Sequence, residues 1–357
     1  MLKPSLYSPS KFQSFIVTTA IIFSALLLLT GLMSILNNKP HKEQNQLTIY
    51  CAHDMVYSEP ILKQFEKDTG IKVIVKYDTE ATKSLGLTEQ LIQERNNPVC
   101  DVFWNNEILG TMDLQVRGLL EPFKGQGFAR IPDKFKDPDG YWVGFAARLR
   151  VWIINTNLTT PTPQAISHYM NQTVLDQVTF AKPLFGTTRT HYTALWHTMG
   201  GDQFKQWHHD LLDRKLVIAQ SNGQTKNLVA QSHCAIGWTD TDDYFQAKDA
   251  GRPVAMLPFR MDHTNQTICI PNTVMIIKNA PNPHLAKIFI DYLVSERIEL
   301  QLSRSTARQI PLGPVDESKL SDEVKQLKIW AQDGFPLIEL QAARQPALDW
   351  LKSEYLQ

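Results

Sequence analysis

The sequence has no excess of charge of either sign. Its 357 residues include 36 lysines and arginines against 36 aspartates and glutamates, so the formal net charge is zero. A sequence-independent nucleic-acid-binding protein needs a basic face to displace counterions, and we therefore expect no nucleic-acid partner. The absence of tandem repeats and heptads excludes solenoids and coiled coils. With 43% hydrophobic residues, the chain is too apolar to be disordered.

Cysteine is scarce. Cys51, Cys100, Cys234 and Cys269 permit three complete disulfide pairings, and the sequence alone does not choose among them. Cys51 ends a predicted strand and Cys100 begins a parallel one, so these two should lie at opposite sheet edges, too far apart for a disulfide. The spacing does not match a zinc site. We expect buried thiols that pack as small apolar residues.

The sequence has a single long uncharged apolar segment, near its N-terminus. Residues 15–36 carry no charge and follow Lys3 and Lys11. Basic residues before an apolar segment are typical of an exported chain, whose residues 1–14 stay in the cytoplasm. The segment is either a cleaved signal peptide or an uncleaved membrane anchor, because its length is close to the ~20 residues that span a bilayer. Residues 37–46 are then a linker, and the remainder is periplasmic or otherwise extracytoplasmic in both cases.

Short apolar stretches alternate with segments of helical spacing after this linker. Residues 47–51, 71–77 and 101–104 are predicted strands, and each precedes a predicted helix. Three successive strand–helix units predict a parallel sheet with right-handed crossovers. Ligands of such sheets bind at the carboxyl ends of the strands, which selects the polar loops that follow these three strands.

The same pattern occurs a second time further along the chain. An apolar segment at 145–155 leaves the first group, a second series begins at residue 178, and residues 267–278 return to the first group. The predicted fold class is α/β with two lobes, each a mainly parallel sheet flanked by helices, preceded by an N-terminal hydrophobic helix. The predicted parts are lobe 1 at 47–150 and 268–316, lobe 2 at 151–267 and C-terminal helices at 317–357. The cleft between the lobes is the expected ligand site, because two lobes can close over a solute.

Recognisable motifs occur in order along both lobes. They are LTIYCAHDMVYSEPILKQFEKDTGIKV, YDTEATK, NPVCDVFWNNE, RGLLEP, PLFGTT, AIGWTDTDD and PNTVMIIKNAPNPHLAKIFIDYLVS. Over about residues 47–312 the chain resembles family 1 extracellular solute-binding proteins of ABC importers, and among them the ferric-iron-binding type. The resemblance implies a type II periplasmic-binding fold, no catalysis and no catalytic cofactor. It also implies delivery of a captured solute to a membrane permease with its ATPase, and we expect a monomer.

The resemblance implies iron(III), held together with a synergistic anion, as the cargo. Ferric-type relatives bind iron with two neighbouring tyrosines of the second lobe. Thr241 and Asp242 stand at those positions here, and Tyr244 follows. His53 and Asp54 lie near the position of the metal-binding histidine.

Two further positions of lobe 1 enter through the same resemblance. Asn106 and Glu107 straddle the position of the acidic ligand, and Arg148 matches the arginine of the anion site. The metal candidates are accordingly His53, Asp54, Glu107, Asp242 and Tyr244. The alternative cargo is a phosphonate or another small organic anion, because the tyrosine pair is absent while helix starts suited to anions are present.

The ligand-facing candidates come from loops at strand ends and from helix starts. Such residues also serve as helix caps, but the polar run 239–243 is longer than capping requires, and its carboxylates suit a hard cation or an amine. Arg148 suits bidentate binding of an anion, or else a hinge salt bridge. The candidates are Thr79, Glu80, Thr82, Asn105, Asn106, Arg148, Thr187, Thr188, Asn222, Thr239, Asp240, Thr241 and Asp242.

A different class of function remains as a remote alternative. His53, Asp54 and the acidic run 240–243 could serve a metal-dependent hydrolase, which needs carboxylates and an activated water. The sequence has no HExxH motif and no GxSxG motif to support it. His208 and His209 lie on a polar helix and are expected to face solvent.

Overall fold

The computed structural model describes residues 45–78, 84–262 and 264–356. The predicted N-terminal hydrophobic helix at 15–36, with residues 1–14 and nearly all of the linker, lies outside the described residues. Three ligand candidates in the loop after the second strand, Thr79, Glu80 and Thr82, also lie outside them. Within the described ranges, no helix has the length and apolar character needed to cross a membrane.

The strands of the described chain belong to two sheets that share one strand. In chain order they are β1 (Gln46–Cys51), β2 (Lys72–Tyr77), β3 (Val102–Asn105), β4 (Leu120–Glu121), β5 (Val143–Asn155), β6 (Val178–Ala181), β7 (Val217–Ala219), β8 (Ile236–Asp240), β9 (Val254–Pro258) and β10 (Cys269–Ile277). The strand order across both sheets is β2-β1-β3-β10-β5-β8-β6-β7, with β4 beside β10 and β9 beside β5.

Each sheet combines a parallel part with antiparallel pairs around the strands β5 and β10. β1 pairs in parallel with β2 and β3, and β6 pairs in parallel with β7 and β8. The strands β5 and β10 run antiparallel to each other and to their neighbours. The predicted α/β fold with two lobes is confirmed, while the residue boundaries of the lobes remain a prediction.

Strand β5 is the connection between the two sheets. Its residues 143–149 pair with β10 in the first sheet, and residues 150–154 pair with β8 in the second. All 13 residues of β5 are buried, as expected of an apolar strand covered on both sides. Arg148 and Arg150 are its two charged residues, and they point to the same side because side chains alternate along a strand.

Helices cover both sheets and open next to the ends of the strands. They are α1 (Met55–Thr69), α2 (Leu85–Gln93), α3 (Leu109–Val116), α4 (Gln126–Arg130), α5 (Pro163–Met170), α6 (Gly186–Met199), α7 (Gly201–Asp213), α8 (Asn222–Ala230), α9 (Thr241–Asp249), α10 (Pro283–Leu293), α11 (Glu296–Ser303), α12 (Asp322–Gln332) and α13 (Arg344–Tyr355). Helix α1 ends where the sequence predicts, because Gly70 adopts a left-handed φ of 71° and its amide donates to the carbonyl of Glu66.

The C-terminal helix α13 packs against the second sheet's helices. Trp350 stacks near Trp196, and the Tyr355 hydroxyl lies 2.9 Å from Nε2 of His208. His208 is fully buried, so the expectation that it faces solvent is wrong, and burial lowers its pKa to about 4. His209 does lie at the surface, where its ring nitrogen is 3.0 Å from a carboxylate oxygen of Glu354.

The four cysteines are buried and form no disulfide, as the sequence predicts. Burial raises the pKa of the Cys100 thiol well above its ordinary value and that of Cys269 to about 12. Both groups therefore stay protonated and pack as apolar side chains.

The second sheet has no room for a side chain at Gly237. This residue lies beside Thr179 of β6, and a Cβ atom added to it would come within 2.6 Å of the Thr179 carbonyl oxygen. Gly237→Ala is expected to lower the free energy of unfolding by roughly 1–3 kcal/mol, because β6 and β8 must separate locally. Urea unfolding followed by tryptophan fluorescence measures this change.

Gly223→Ala in α8 is the matched control. The nearest atom to its added Cβ would lie at 3.7 Å, an ordinary contact. Since alanine favours the helix over glycine, this variant should be unchanged or more stable by about 0.5–1 kcal/mol. Equal losses in both variants would contradict the close approach of β6 and β8.

Candidate functional site

A cavity of about 270 Å³ lies between the loops at the strand ends of the two sheets. The first sheet contributes the loops after β1 and β3 and one arginine of β5. The second sheet contributes the starts of α6, α8 and α9. The lining residues are His53, Asp54, Asn106, Arg148, Ala181, Lys182, Phe185, Gly186, Thr187, Thr188, Gln220, Ser221, Asn222, Gly223, Lys226, Asp240, Asp242, Asp243 and Gln246.

Most of the sequence-predicted candidates meet at this cavity. Those that line it are His53, Asp54, Asn106, Arg148, Thr187, Thr188, Asn222, Asp240 and Asp242. His53 and Asp242 lie 189 positions apart in the chain. Gln246 of the same wall donates a hydrogen bond to the hydroxyl of Tyr57, from the first helix, at 3.4 Å. The expectation that strand-end loops from both halves face a common space therefore agrees with their positions.

Helix starts supply backbone donors to the cavity. Helix α6 begins at Gly186, whose φ is +52°, and the preceding Phe185 provides no side-chain cap. Helix α9 likewise begins after Asp240 without a side-chain cap, whereas Ser221 caps α8 by accepting from the amide of Gln224. The first amides of a helix have no partner within the helix, and the helix dipole adds positive potential there. The start of α6 therefore suits an anionic group, whereas the acidic residues Asp242 and Asp243 in the first turn of α9 oppose one there.

A buried ion pair organises the wall formed by the second sheet. Nη1 of Arg150 lies 2.8 Å from Oδ1 of Asp240 and also donates to the side chains of Asn222 (3.1 Å) and Thr187 (3.3 Å). Oδ2 of Asp240 accepts from Thr187 Oγ1 at 2.5 Å and from Asn222 Nδ2 at 3.2 Å. Nε of Arg150 donates to Nδ1 of His191, and burial beside this cation holds the pKa of His191 well below its ordinary value. This network fixes α6, α8 and α9 relative to β5.

Arg148 connects the two halves of the site. Its Nη2 donates to the backbone carbonyl of Asn106 at 2.5 Å, and its Nη1 donates to Oδ1 of Asn272 at 3.1 Å. Its Nε lies 3.6 Å from Oδ2 of Asp240 across the cavity. A guanidinium in this position combines an interlobe ion pair with a charged wall for a ligand.

Carboxylates concentrate at the start of α9. One oxygen each from Asp240, Asp242 and Asp243 lies within 4.8 Å of the others. Burial, together with these like charges, raises the pKa of Asp242 to about 8, although nearby Arg148 opposes the shift. Asp242 is therefore protonated over much of the acidic to neutral range, and a cation or an amine could take the place of that proton.

His53 is more enclosed than a free metal ligand would be. Its ring stacks on Trp104 with centroids 5.2 Å apart, and it is 4% exposed. Its Nε2 lies 2.7 Å from the amide nitrogen of Gln309, which can only donate, so Nε2 acts as the acceptor. Asp54, next along the chain, lines the cavity at the start of α1.

The structure places Glu107 outside the cavity. It is fully buried, and its oxygens already accept hydrogen bonds from two amides, two hydroxyls and a guanidinium. The donors are Leu109 N (2.5 Å), Gly110 N (2.8 Å), Ser84 Oγ (2.6 Å), Thr190 Oγ1 (3.1 Å) and Arg189 Nη2 (3.1 Å). With both oxygens engaged in this way, Glu107 joins β3 to α6 and has no free lone pairs directed at a solute in this arrangement.

The remaining candidates also pack away from the cavity. Asn105 is fully buried and donates to the neighbouring Glu107 network at 3.4 Å. Thr239 donates to a carboxylate of α9 at 2.6 Å, and Thr241 accepts from the amide of Leu149 at 3.3 Å. Tyr244 is buried in α9 near charged residues, and burial raises its pKa. Strand alternation explains why Thr239 points away from Asp240 in β8, whereas Thr241 and Tyr244 point away from the cavity because they lie on other faces of α9 than Asp242.

Sequence reasoning did not identify several lining residues. Lys182 follows β6, Lys226 lies one turn after Asn222 in α8, and Gln246 lies one turn after Asp242 in α9. The i, i+4 spacing of the last two pairs was a usable signal, because such residues share a helix face. Arg150 was also missed, although its spacing of two from Arg148 in an apolar strand marks the same side.

The comparison with protein families decides the assignment. The sequence profile described as "Bacterial extracellular solute-binding protein" matches residues 61–331. The chain belongs to this family. The family is described as solute-binding, and the cavity between the two sheets is lined mainly by polar side chains.

Individual relatives of this solute-binding protein are distant. "Iron uptake protein A1" of Synechocystis sp. is 22% identical over 296 residues, which cover 78% of this chain and 79% of the relative. The structure of a ferric binding protein from Campylobacter jejuni superposes with a TM-score of 0.74 at 20% identity, covering 86% of this chain and 98% of that chain. These matches confirm the type II periplasmic-binding fold.

A third similar structure is described with a ligand other than iron. The periplasmic binding protein AfuA from Actinobacillus pleuropneumoniae, with exogenous fructose-6-phosphate bound, has a TM-score of 0.69 and 20% identity. The alignment covers 87% of this chain and 98% of that one. At this identity the likeness concerns the fold alone.

The Arg150–Asp240 pair is expected to dominate the stability of the second lobe's wall. Arg150→Met should lower the free energy of unfolding by up to about 3–5 kcal/mol, because it removes the guanidinium 2.8 Å from the buried carboxylate of Asp240 and leaves Arg148, at 3.6 Å, as the nearest cation. The double variant Arg150→Met with Asp240→Asn should recover a large part of that loss, since the buried carboxylate charge is removed together with its main partner. A double-mutant cycle by urea unfolding tests this, and equal losses in the single and double variants would contradict it.

The raised pKa of Asp242 predicts a pH dependence of stability. Between about pH 4 and pH 8 the folded protein keeps a proton on Asp242 that the unfolded chain has lost, so stability falls as the pH rises through this window. Asp242→Asn cannot ionise and should lose less thermal stability than the wild type between pH 5 and pH 8. Asp262→Asn, at an exposed position outside the cavity, should keep the wild-type profile. Identical profiles for Asp242→Asn and the wild type would refute the assignment.

Proposed function

We propose that this protein is the solute-binding component of an ABC importer, and that its ligand is a small organic phosphate or phosphonate bound in the 270 Å³ cavity. The family assignment supports the binding role, and the volume is close to the lower end of small-molecule sites, roughly 300 Å³. An exported location, a membrane permease with its ATPase as partners, and a monomeric state are part of the same proposal. The apolar segment 15–36 would supply either the signal peptide or the anchor.

The combination of an uncapped helix start at α6 and three cationic side chains carries the proposal for the anion. Helices α6 and α9 open on the cavity without side-chain caps, and Lys182, Lys226 and Arg148 line it. Helix amides and ammonium groups are the donors that bind phosphoryl oxygens in many proteins. The two lysines are held in place by acceptors, Tyr355 O at 3.1 Å and Gln246 Oε1 at 3.1 Å.

The acidic residues of the cavity indicate which chemical groups the ligand carries in addition to its phosphoryl or phosphonate group. Asp54, Asp242 and Asp243 would repel a bare anion, but they accept hydrogen bonds from hydroxyl groups or pair with an amine. A solute with a phosphoryl or phosphonate group at one end and hydroxyls or an amine at the other satisfies both sets of groups. A sugar phosphate and an aminoalkylphosphonate are examples of this chemistry.

Iron(III) with a bound anion is the second candidate. The three neighbouring carboxylates at the start of α9 favour a hard cation, and iron is named in the descriptions of several relatives. Two observations weigh against it. Asp240 is already engaged by Arg150 and Arg148, and no tyrosine is among the described residues that line the cavity.

Calorimetric titration of the purified full-length protein distinguishes the two ligands. The probes are fructose 6-phosphate, 2-aminoethylphosphonate and iron(III) citrate. We expect one of the two organic anions to bind, and Lys226→Gln to weaken that binding about tenfold or more, because a charge-assisted hydrogen bond is lost. Lys63→Gln is the matched control, since Lys63 is exposed on α1 and pairs only with Glu59.

One set of titration results would overturn the proposal that the ligand is an organic anion. If iron(III) citrate binds and neither organic anion does, and if Asp242→Asn abolishes that binding, the cation is the cargo. A visible tyrosinate charge-transfer band in such a complex would also contradict the described geometry of the cavity.

A further inference from the structure

A second polar cavity lies at the junction of four helices, on a different part of the surface. Its volume is about 80 Å³, and it is bordered by α2, α3, α6 and α13. The charged residues that line this junction cavity are Glu89, Asp113, Arg117, Arg189, Arg344 and Lys352. It shares no lining residue with the larger cavity described above.

Arg189 brings a buried, partly unused guanidinium to the junction cavity. Its side chain is 5% exposed, and its Nη2 pairs with Oε1 of Glu107 at 3.1 Å. Its Nε is buried and has no hydrogen-bond partner among the described residues. A buried N–H without a partner is unfavourable, so this group can still donate one hydrogen bond.

Arg344 of α13 presents a second donor of the same kind. Its Nη1 donates to the carbonyl of Gln341 at 2.5 Å, and its Nη2 lies 3.5 Å from Oδ1 of Asp113. Its Nε is also buried without a partner. Two arginines that line the junction cavity, on different helices, therefore each have a buried Nε–H without a hydrogen-bond partner among the described residues.

The charges around the junction cavity do not balance. Arg117, Arg189, Arg344 and Lys352 supply four positive charges. The carboxylates paired with them are those of Asp113, Glu107 and Glu89, the last at 3.8 Å from Lys352. One cation is in excess among the described residues, and an anion would neutralise it.

We propose that the junction cavity binds a small inorganic oxyanion, sulfate or phosphate. The volume of about 80 Å³ exceeds what one water requires and is suited to a tetrahedral ion. Its oxygens would accept charge-assisted hydrogen bonds from the guanidinium groups of Arg189 and Arg344, which line the cavity. Bound there, the ion joins α6, α13 and the α2–α3 region. The inference is independent of the ligand of the larger cavity.

Sulfate-dependent thermal unfolding of the full-length protein tests the site. Sulfate, and in a second series inorganic phosphate, is raised from 0 to about 20 mM while sodium chloride keeps the ionic strength constant. A ligand that binds only the folded state raises the melting temperature, and we expect a saturable rise of a few degrees. Arg344→Gln should remove the saturable part, and Arg344→Lys should reduce it, because lysine keeps the charge but lacks the Nε–H donor.

Arg304→Gln is the matched control, since Arg304 is exposed and lies outside both cavities. General stabilisation by sulfate through exclusion from the protein surface affects all variants alike, so only the difference between Arg344→Gln and Arg304→Gln counts. A saturable rise that survives in Arg344→Gln overturns the proposal. So does a linear, non-saturating rise in the wild type.

The position of the ion is tested by crystallography. Crystals of the full-length protein grown with selenate, a sulfate analogue, should show an anomalous peak between the Nε atoms of Arg189 and Arg344. A peak only in the larger cavity, or none, would refute the junction site. Either result leaves the proposal of an organic solute in the larger cavity unaffected, because that proposal is measured with different probes and with Lys226→Gln.

Discussion

The buried pair of Arg150 and Asp240 is the interaction on which the larger cavity depends. Charges removed from water are tolerated only when they are paired and their remaining hydrogen-bonding atoms are satisfied. Here Thr187 and Asn222 complete the shell around the carboxylate, and these two residues belong to the first turns of α6 and α8. Satisfying one buried ion pair therefore also brings three helix starts to one place. The polar groups of the cavity are therefore held in position before a solute binds.

The fold was more predictable than the site, because it depends on patterns that recur along the chain. Alternating apolar strands and helical segments indicated both lobes, and the apolar segment 145–155 marked the crossing strand. Short pairings such as β4 and β9 were not predicted, since two to five residues carry little periodicity. The burial of His208 was also beyond local sequence, because its partner Tyr355 lies 147 positions away.

The rule that ligands lie at strand ends identified the loops but not the side chains that face the cavity. Asp240 and Asp242 line it, whereas the adjacent Thr239 and Thr241 turn to the protein interior. This difference follows from the direction of each side chain at the end of β8 and in the first turn of α9, which a list of polar residues does not contain. Arg150 was missed because a charged residue inside an otherwise apolar strand was not considered as a site candidate.

Glu107 shows how one acidic residue can belong to the binding apparatus without touching a ligand. Arg189 and Thr190 donate to it from α6, the helix whose first turn borders the larger cavity, while Leu109 and Gly110 donate from its own side. Separation of the two sides would leave the carboxylate still bonded to the amides of α3 and open to water. Contact with water would lower the desolvation penalty of the Glu107 carboxylate as its hydrogen bonds to α6 are lost. The free energy needed to separate the two sides would therefore be limited. Glu107 can therefore hold α6 in place without locking the two sides together.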